Sequence, residues 1–308
     1  MSLEKTILKK INANYEQIRA TQFAFQNLKK IDHFKENCLL FVLCNNKKLK
    51  LNKKELDYLI YNSDLKQINQ FGLCSLMAAF SNNLSEDLNL NNQQIDYLIK
   101  NSDLKHVDID QWSALFYAIH YNNHQKLNLT FDQFDYLIKN SNLKQKESIN
   151  NLSPLMYMVR QQKNLNLNNQ QMTYLIKNSD LNHTDHNNWN ILMFLLNYYD
   201  QIKINLTTDN WQYLINNSNL MLKDQYNDIS TLGLFIKNKP DLINFAFEKI
   251  FADNITNQDD INKNDILKIS IADDCYHQLL NAWESFNTKK SIEKKVISRP
   301  HKTIDFKL

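Results

Sequence analysis

The chain has 308 residues, 43% of them hydrophobic, with 36 basic against 33 acidic side chains and a formal charge of +3. So even a balance gives no overall basic field of the kind that marks a dedicated nucleic-acid binder, and no run of about 18 apolar residues exists to span a membrane. Two Gly and three Pro are too few for a fold rich in tight turns, so a nearly all-helical structure is expected.

Residues 1–28 place Ile7, Leu8, Ile11, Tyr15 and Ile18 at helical spacing, which predicts an amphipathic helix capping the open end of a repeat stack. The opening residues carry no apolar signal-peptide core. From residue 29 to residue 253 the chain repeats itself. The phrase Tyr-Leu-Ile-x-Asn-Ser-[Asp/Asn]-Leu starts at Tyr58, Tyr97, Tyr136, Tyr174 and Tyr213. A fixed period near 39 residues is the signature of stacked units.

Within one unit, residues 105–143, the spacing predicts a helix from Ser113, its N-cap, to about Tyr121, with Leu115, Ala118 and Ile119 on one apolar face. The same start recurs as Ser153-Pro154, with proline at the first helical position. A second helix is predicted to open at Thr130, because Gln133 follows three residues later as in a capping box. Asn52…Glu55, Asn91…Gln94 and Asn168…Gln171 repeat that pattern, and Thr207…Asn210 is a weaker copy. Asn62, Asn101, Asn140, Asn178 and Asn217 then share one slot. They read either as a ligand-recognising ladder or as left-handed C-caps, and the following Leu65, Leu104, Leu143, Leu181 and Leu220 as the packing that closes each cap.

The sixth unit begins at Met221, with Ser230-Thr231-Leu232 as its first helix start, and loses the phrase to residues 245–250, as an atypical terminal unit must. Residues 254–264 read as a loop, residues 265–286 as one or two helices with Leu279, Leu280, Trp283 and Phe286 apolar, and residues 299–308 as a free tail. Cys38, Cys44, Cys74 and Cys275 show no metal or redox spacing; Cys38 and Cys74 are assigned to the helix-start slot of Ser113. Reduced thiols and a cytoplasmic location are expected, or delivery into a host cell without a cleavable signal.

Ahead of the first helices stand residues 69–77, 108–116, 148–156 and 185–193. These segments resemble the ankyrin opening D-x-x-G-x-T-P-L-H, with Gly72, Gln111, Asn151 and Asn188 in the fourth slot, and Leu-Ile-x-Asn-Ser-Asp-Leu stands where ankyrin repeats carry L-L-x-x-G-A-D. The resemblance covers residues 29–238. It departs from the family in its longer period and in the loss of the signature glycines; a helical-hairpin solenoid without the ankyrin β-hairpin loop is the alternative. It implies an all-α solenoid of about six ankyrin-like repeats with helical caps: a capping helix at 1–28, the repeats at 29–253, and a cap and tail at 254–308.

The resemblance also implies a protein partner, met by the second, third, fifth, thirteenth and fourteenth slots. The second slot is assigned Phe34, Gln70, Ile109, Ile149 and His186, and the third Lys35, Phe71, Asp110, Asn150 and Asn187. The fifth holds Trp112 and Trp189, the thirteenth His120 and Arg160, the fourteenth Tyr121 and Tyr198. Since Trp, Tyr and Arg dominate binding hot spots, the expected partner-binding residues are Trp112, His120, Tyr121, Arg160, His186, Trp189 and Tyr198. The tryptophans have a second reading, as packing between adjacent repeats, because Leu73, Leu152 and Ile229 share their slot.

Other chemistry has little support. Gly72 and Gly233 alone make no phosphate-cradling loop. The pairs His120/His124 and His183/His186 offer two ligands where zinc takes three or four. No metal, cofactor or catalytic residue is expected, and an enzyme would have to use residues 254–308, where Asp273 and Asp274 are the acids to substitute. Two lysine rows, Lys100/Lys139/Lys177 and Lys66/Lys105/Lys144, keep open a nucleic-acid-binding solenoid. The reading preferred is a monomeric protein-binding module, either a bacterial effector or a binder that neutralises a toxin or enzyme, with no membrane association.

Overall fold

A computed structural model describes residues 2–19, 22–49, 51–82, 90–122, 127, 129–161, 167–198, 206–226, 230–255 and 281–289. His124, Ile229, Cys275, Asp273, Asp274, Leu279 and Leu280 lie outside them. The helices are α1 Leu3–Arg19, α2 Cys38–Leu49, α3 Lys53–Asn62, α4 Ser75–Asn82, α5 Asn92–Asn101, α6 Ala114–Asn122 and α7 Phe131–Asn140. They continue as α8 Pro154–Arg160, α9 Asn169–Asn178, α10 Ile191–Tyr198, α11 Thr208–Asn217, α12 Thr231–Asn238, a 3-10 turn Pro240–Leu242, α13 Ile243–Ile255 and α14 over 281–289. No strand forms among the described residues. The chain is all-α, built of ankyrin-like helix hairpins that follow the period in the sequence.

The described residues fall into two compact units, one running to Asp180 and one from Leu181. In the first, the leading helices α2, α4, α6 and α8 pack in series, and so do the trailing helices α3, α5, α7 and α9. Leading helices are apolar almost all round: α4 buries every residue from Ser75 to Phe80. Trailing helices bury one stripe, as Phe134, Leu137 and Ile138 do in α7, which fits a helix that faces its neighbours on one side and water on the other. Helix α1 packs on α2 and α3, the place a preceding trailing helix would take, and buries Ile7, Leu8, Ile11 and Tyr15. Asn12 fastens the chain after it by bonding both the amide and the carbonyl of Phe25.

The capping boxes form as the sequence predicts. Asn52, Asn91, Thr130 and Asn168 each accept from the third helical amide, and Glu55, Gln94, Gln133 and Gln171 return the bond. Thr207 caps α11 with its hydroxyl. These third-position side chains are buried and three of them reach backwards too: Gln94 donates to Asp57 at 2.7 Å, Gln133 to the Asn92 carbonyl at 2.9 Å, and Glu55 takes Lys10 of α1 at 2.6 Å, whereas the Gln171 amide nitrogen meets no partner. Gln94 and Gln133 therefore each start a helix and join two repeats.

The asparagine slot works differently from the expected left-handed cap. Asn62, Asn101, Asn140, Asn178 and Asn217 are the last helical residues, and each side-chain amide donates at 2.8 Å to the carbonyl four residues back. The C-caps are the serines that follow, in extended conformation. Each side chain thus adds a second donor to a carbonyl of its own helix's last turns, and the helix ends in an extended serine with no positive φ required.

Positive φ sits instead in the turns, at Lys35, Gly72, Gln111, Asn151 and Asn188. Each turn is folded over one buried acceptor. Asp32, Asn69, Asp108, Glu147 and Asp185 accept from two or three amides further along their own turn, through Asp32 to Phe34 and Glu36, or Asp108 to Asp110 and Trp112. The register corrects two assignments: Phe34 is in the third slot and Lys35 in the fourth, and the turn after α7 starts at Glu147 and carries one extra residue. Ser113 precedes α6 as expected, but its hydroxyl is buried without a partner and caps nothing. Asn37, not Cys38, holds the equivalent cap position before α2, accepting from Leu40.

Adjacent turns are stitched to one another. Gln70 N–H donates to the Phe34 carbonyl at 2.9 Å, Ile109 to Phe71 at 3.1 Å, and Ser148 to Asp110 at 3.1 Å; in the second unit Gln225 donates to Asn187 at 3.0 Å. Isolated antiparallel bridges close the turns at Ile68–Cys74, Val107–Ser113 and Lys223–Ser230. At these three turns a short β-hairpin-like loop forms, the feature that the alternative helical-hairpin reading lacks. In the second unit, α10 packs on α12 and α11 on α13, and α14 lays Trp283 and Phe286 against Phe247 of α13 at ring distances of 5.2 and 5.6 Å.

Candidate functional site

Among the described residues the turns carry most of the exposed large apolar side chains; Leu3, Tyr61 and Phe131 are the exposed ones on helices. Ile31, Ile68, Phe71, Ile109, Ile149, Met221 and Tyr226 are all turn residues and all solvent-exposed, with Ile109 63%, Ile149 64% and Tyr226 70% accessible. The amides of Phe71, Ile109, Ile149, Met221 and Tyr226 are all bonded within or between turns, so the backbone and not these side chains holds the turns.

Behind the tips of the first unit, the leading helices present aromatics. Trp112 stands between repeats: its ring lies 5.3 Å from His120, 5.5 Å from Tyr117 and 5.4 Å from Tyr157 of the following repeat. His120 meets Tyr121 edge-on at 4.8 Å, and Tyr117 stacks on Tyr121 at 6.0 Å. His120 Nδ1 and the Tyr157 hydroxyl share a hydrogen bond of 2.6 Å. Burial first, and then Glu147, pushes the Tyr157 phenol up to about 12. Burial, with the bond to Asp108 at 2.7 Å, raises Tyr117 as well. Both hydroxyls stay protonated at any physiological pH. Trp112, Tyr117, His120 and Tyr121 are each half-buried, and Arg160 is exposed at the end of α8.

Of the expected residues, Trp112, His120 and Tyr121 therefore form one cluster, with Arg160 in the next repeat of the same unit. Tyr117 and Tyr157 belong to the cluster and were not singled out in the sequence; the i, i+4 spacing of Tyr117 to Tyr121 and the repeat phase that Tyr117 and Tyr157 share were the available signals. In the second unit Trp189 and Tyr198 flank Phe194 at 5.6 and 6.1 Å. His186 is exposed at a turn tip, on an open cleft of about 420 Å³ lined with Asp185, Asn188, Lys223, Asp224 and Gln225. The Trp189 indole N–H donates to the Asp224 carboxylate of the following turn. Both tryptophans thus do what their second reading states, packing between adjacent repeats, with an edge left to solvent.

Other candidates are accounted for by local chemistry. Lys100 and Lys139 are ion-paired at 2.8 and 2.7 Å with Asp96 and Asp135 one turn earlier. Burial pushes the Cys38 and Cys44 thiols up to about 12 and raises Cys74 too, which keeps them protonated and unreactive. His183 is buried. Among the described residues no cluster of three or more His, Cys, Asp or Glu is placed to hold a metal, and no helix is long and apolar enough to cross a membrane.

Fold and surface together define a class: an all-α repeat protein of ankyrin-like hairpins whose stitched turns expose apolar side chains. No family model and no curated protein matches the chain. Among solved structures it is similar to the ankyrin repeat domain of Bcl-3, a unique member of the IkappaB protein family. Identity is 12%, coverage 76% of this chain and 93% of that one, and the TM-score 0.44. It is also similar to a chain in the structure of the Bd0816 predatory endopeptidase from Bdellovibrio bacteriovorus in complex with immunity protein Bd3460. There identity is 15%, coverage 71% of this chain and all of that one, and the TM-score 0.44.

Proposed function

We propose that the chain is a monomeric protein-binding module. Each unit offers its own contact residues, at the turn tips and on the aromatics of the leading helices: Trp112, His120, Tyr121 and Arg160 in the first unit, and His186, Trp189 and Tyr198 in the second. The observation that carries this reading is the concentration of exposed bulky apolar side chains on turns that are bonded within themselves and to their neighbours. Loops carry function when a rigid scaffold positions them, and exposed apolar patches mark interaction sites. Burying each of Ile109 and Ile149 against a partner is worth about 1.5–3 kcal/mol, and a preformed surface adds little ordering cost.

The nucleic-acid alternative is disfavoured by the pairing of Lys100 and Lys139 with acids on their own helices, since a lysine already neutralised releases few counterions on meeting a phosphate. Two biological settings meet the protein-binding reading, an effector that captures a host protein and a binder that neutralises a toxin or enzyme; they differ in whose protein is captured. The test uses the purified chain as bait in source-cell and host lysates, with and without nuclease. A stoichiometric protein that survives nuclease, and is lost from a Tyr121→Ala, Arg160→Ala variant of unchanged helicity, is the expected outcome. Recovery of nucleic acid alone, or full retention of the protein by the variant, sinks the reading. Trp112→Ala is unsuited to this test, because Trp112 also holds two repeats together.

A further inference from the structure

We propose that the turns of the first unit take a partner segment presenting bulky apolar side chains flanked by carboxylates. This rests on the protein-binding reading and adds the chemistry of the partner. The apolar contact surface is a ridge. Phe71, Ile109 and Ile149 are 47%, 63% and 64% accessible. They stand on consecutive turns joined by the Ile109 N–H to Phe71 carbonyl bond at 3.1 Å, and by the Ser148 amide and hydroxyl to Asp110 carbonyl bonds at 3.1 and 3.0 Å. The stitching holds the three side chains in a fixed row.

The charge of the rim comes from what the fold does with its acids. Asp32, Asp108 and Glu147 are buried, because each is the acceptor over which its turn is folded. Glu36 is buried against Arg19. Lys35 and Lys146 on the turns, and Arg160 behind them, remain exposed, with Asp110 the exposed acid beside Ile109. Lys66 and Lys105 are exposed as well, each two residues after an exposed acid, Asp64 or Asp103. A partner's cation cannot reach the three carboxylates inside the turns, whereas a partner's carboxylate can reach the lysines and Arg160. The complementarity is one of contact, since buried and exposed charges nearly cancel at a distance. It therefore selects which segment docks more than how fast it arrives, through charge-assisted hydrogen bonds at the rim of an apolar contact.

The test needs no known partner. The full chain is immobilised and challenged with a phage-displayed library of random 16-residue peptides. The expected result is enrichment of peptides that combine Leu, Ile, Phe or Trp with Asp or Glu. Their affinity should fall roughly tenfold or more for the Ile109→Ser, Ile149→Ser variant, as for loss of hot-spot anchors, with the melting curve unchanged because both side chains are exposed. Lys35→Glu with Lys146→Glu should weaken the same peptides by several-fold. Enrichment of Lys- or Arg-rich peptides, or affinities unmoved by the isoleucine pair, overturns the proposal. Peptides that ignore the isoleucine pair but are lost on Tyr121→Ala, Arg160→Ala overturn it while leaving the protein-binding reading intact. A library that yields no peptide sensitive to either pair overturns both.

Discussion

Trp112 and Trp189 occupy one slot in two repeats, yet their indole nitrogens meet different fates. Trp189 donates to Asp224, 35 residues on. Glu147 stands at the same offset from Trp112, but both its oxygens are taken by the amides of Ile149, Asn150 and Leu152 in its longer turn, and the Trp112 N–H is buried without an acceptor. Substitution by Phe removes the same volume at both sites, so their difference isolates the bond: Trp189→Phe should cost about 1.5–3 kcal/mol more than Trp112→Phe. Urea unfolding of the two variants measures it, and equal costs would refute the account. The fourth turn slot gives a second pair. A left-handed residue with a Cβ is strained by about 1–2 kcal/mol, so Gln111→Gly should raise stability by up to about 1 kcal/mol once the entropy of glycine is subtracted. Gly72→Ala should do the reverse and more severely, since its Cβ would lie 2.8 Å from the Asp108 Cα. Glu36 supplies a pH dependence. Desolvation raises its pKa above the ordinary 4.5, against the pull of Arg19. The folded state therefore binds this proton more tightly, and the stability it contributes is full below 4.5 and lost as pH rises through the raised value. Wild type should lose stability relative to Glu36→Gln across that window, and parallel pH profiles for the two would contradict it.

At the scale of the element, the trailing helices are specified by their first turn. Gln133 caps α7 and bonds the Asn92 carbonyl of the preceding repeat, so Gln133→Ala should cost about 1–2 kcal/mol, a cap plus an inter-repeat bond. Asn140→Ala, which removes an exposed bond to a carbonyl of its own helix, should cost less than about 0.5 kcal/mol. Thermal melts of the two variants rank them, and the reverse order would show that the backward bond contributes nothing. The capping boxes were legible in the sequence because both partners lie within four residues and the pattern recurs in phase. The asparagine slot was located but its mechanism was not, because both a left-handed cap and a side-chain bond back onto the last helical turn favour Asn at a helix end. The turn register was legible at Asn69 and Asp108 and slipped by one at Lys35, where a lysine stands in the slot that glycine would have marked. It slipped again at Glu147, where the added residue breaks the spacing. The aromatic cluster was half legible: slot-by-slot comparison found Trp112, His120 and Tyr121, but Tyr157, though it shares the repeat phase of Tyr117, is drawn in by edge-on contacts across repeats, which the pattern within one repeat does not encode.

At the scale of the whole molecule, each repeat touches only its neighbours, so perturbations should fade along the stack. Helix α1 covers α2 and α3, carries Lys10 to Glu55 and Arg19 to Glu36, and stacks the Arg19 guanidinium on Phe34 at 4.5 Å. Removing residues 1–19 leaves Glu36 buried without its cation, the costly half of a broken ion pair. Amide exchange in that truncated chain should accelerate strongly in α2 and α3, less in α4 and α5, and least in α8 and α9; uniform acceleration would mean that the first unit folds all-or-none. The stitched turns have a different consequence. Each joint spends one amide, one carbonyl and one inward acceptor, and none of these belongs to the side chains at 70, 71, 109, 110, 149 or 150. The outward vocabulary of the turns is therefore separable from their grammar. Residues at those positions can be exchanged between repeats, or randomised, without rewriting the scaffold, and the protein can be given a new partner by changing letters that its own folding never reads.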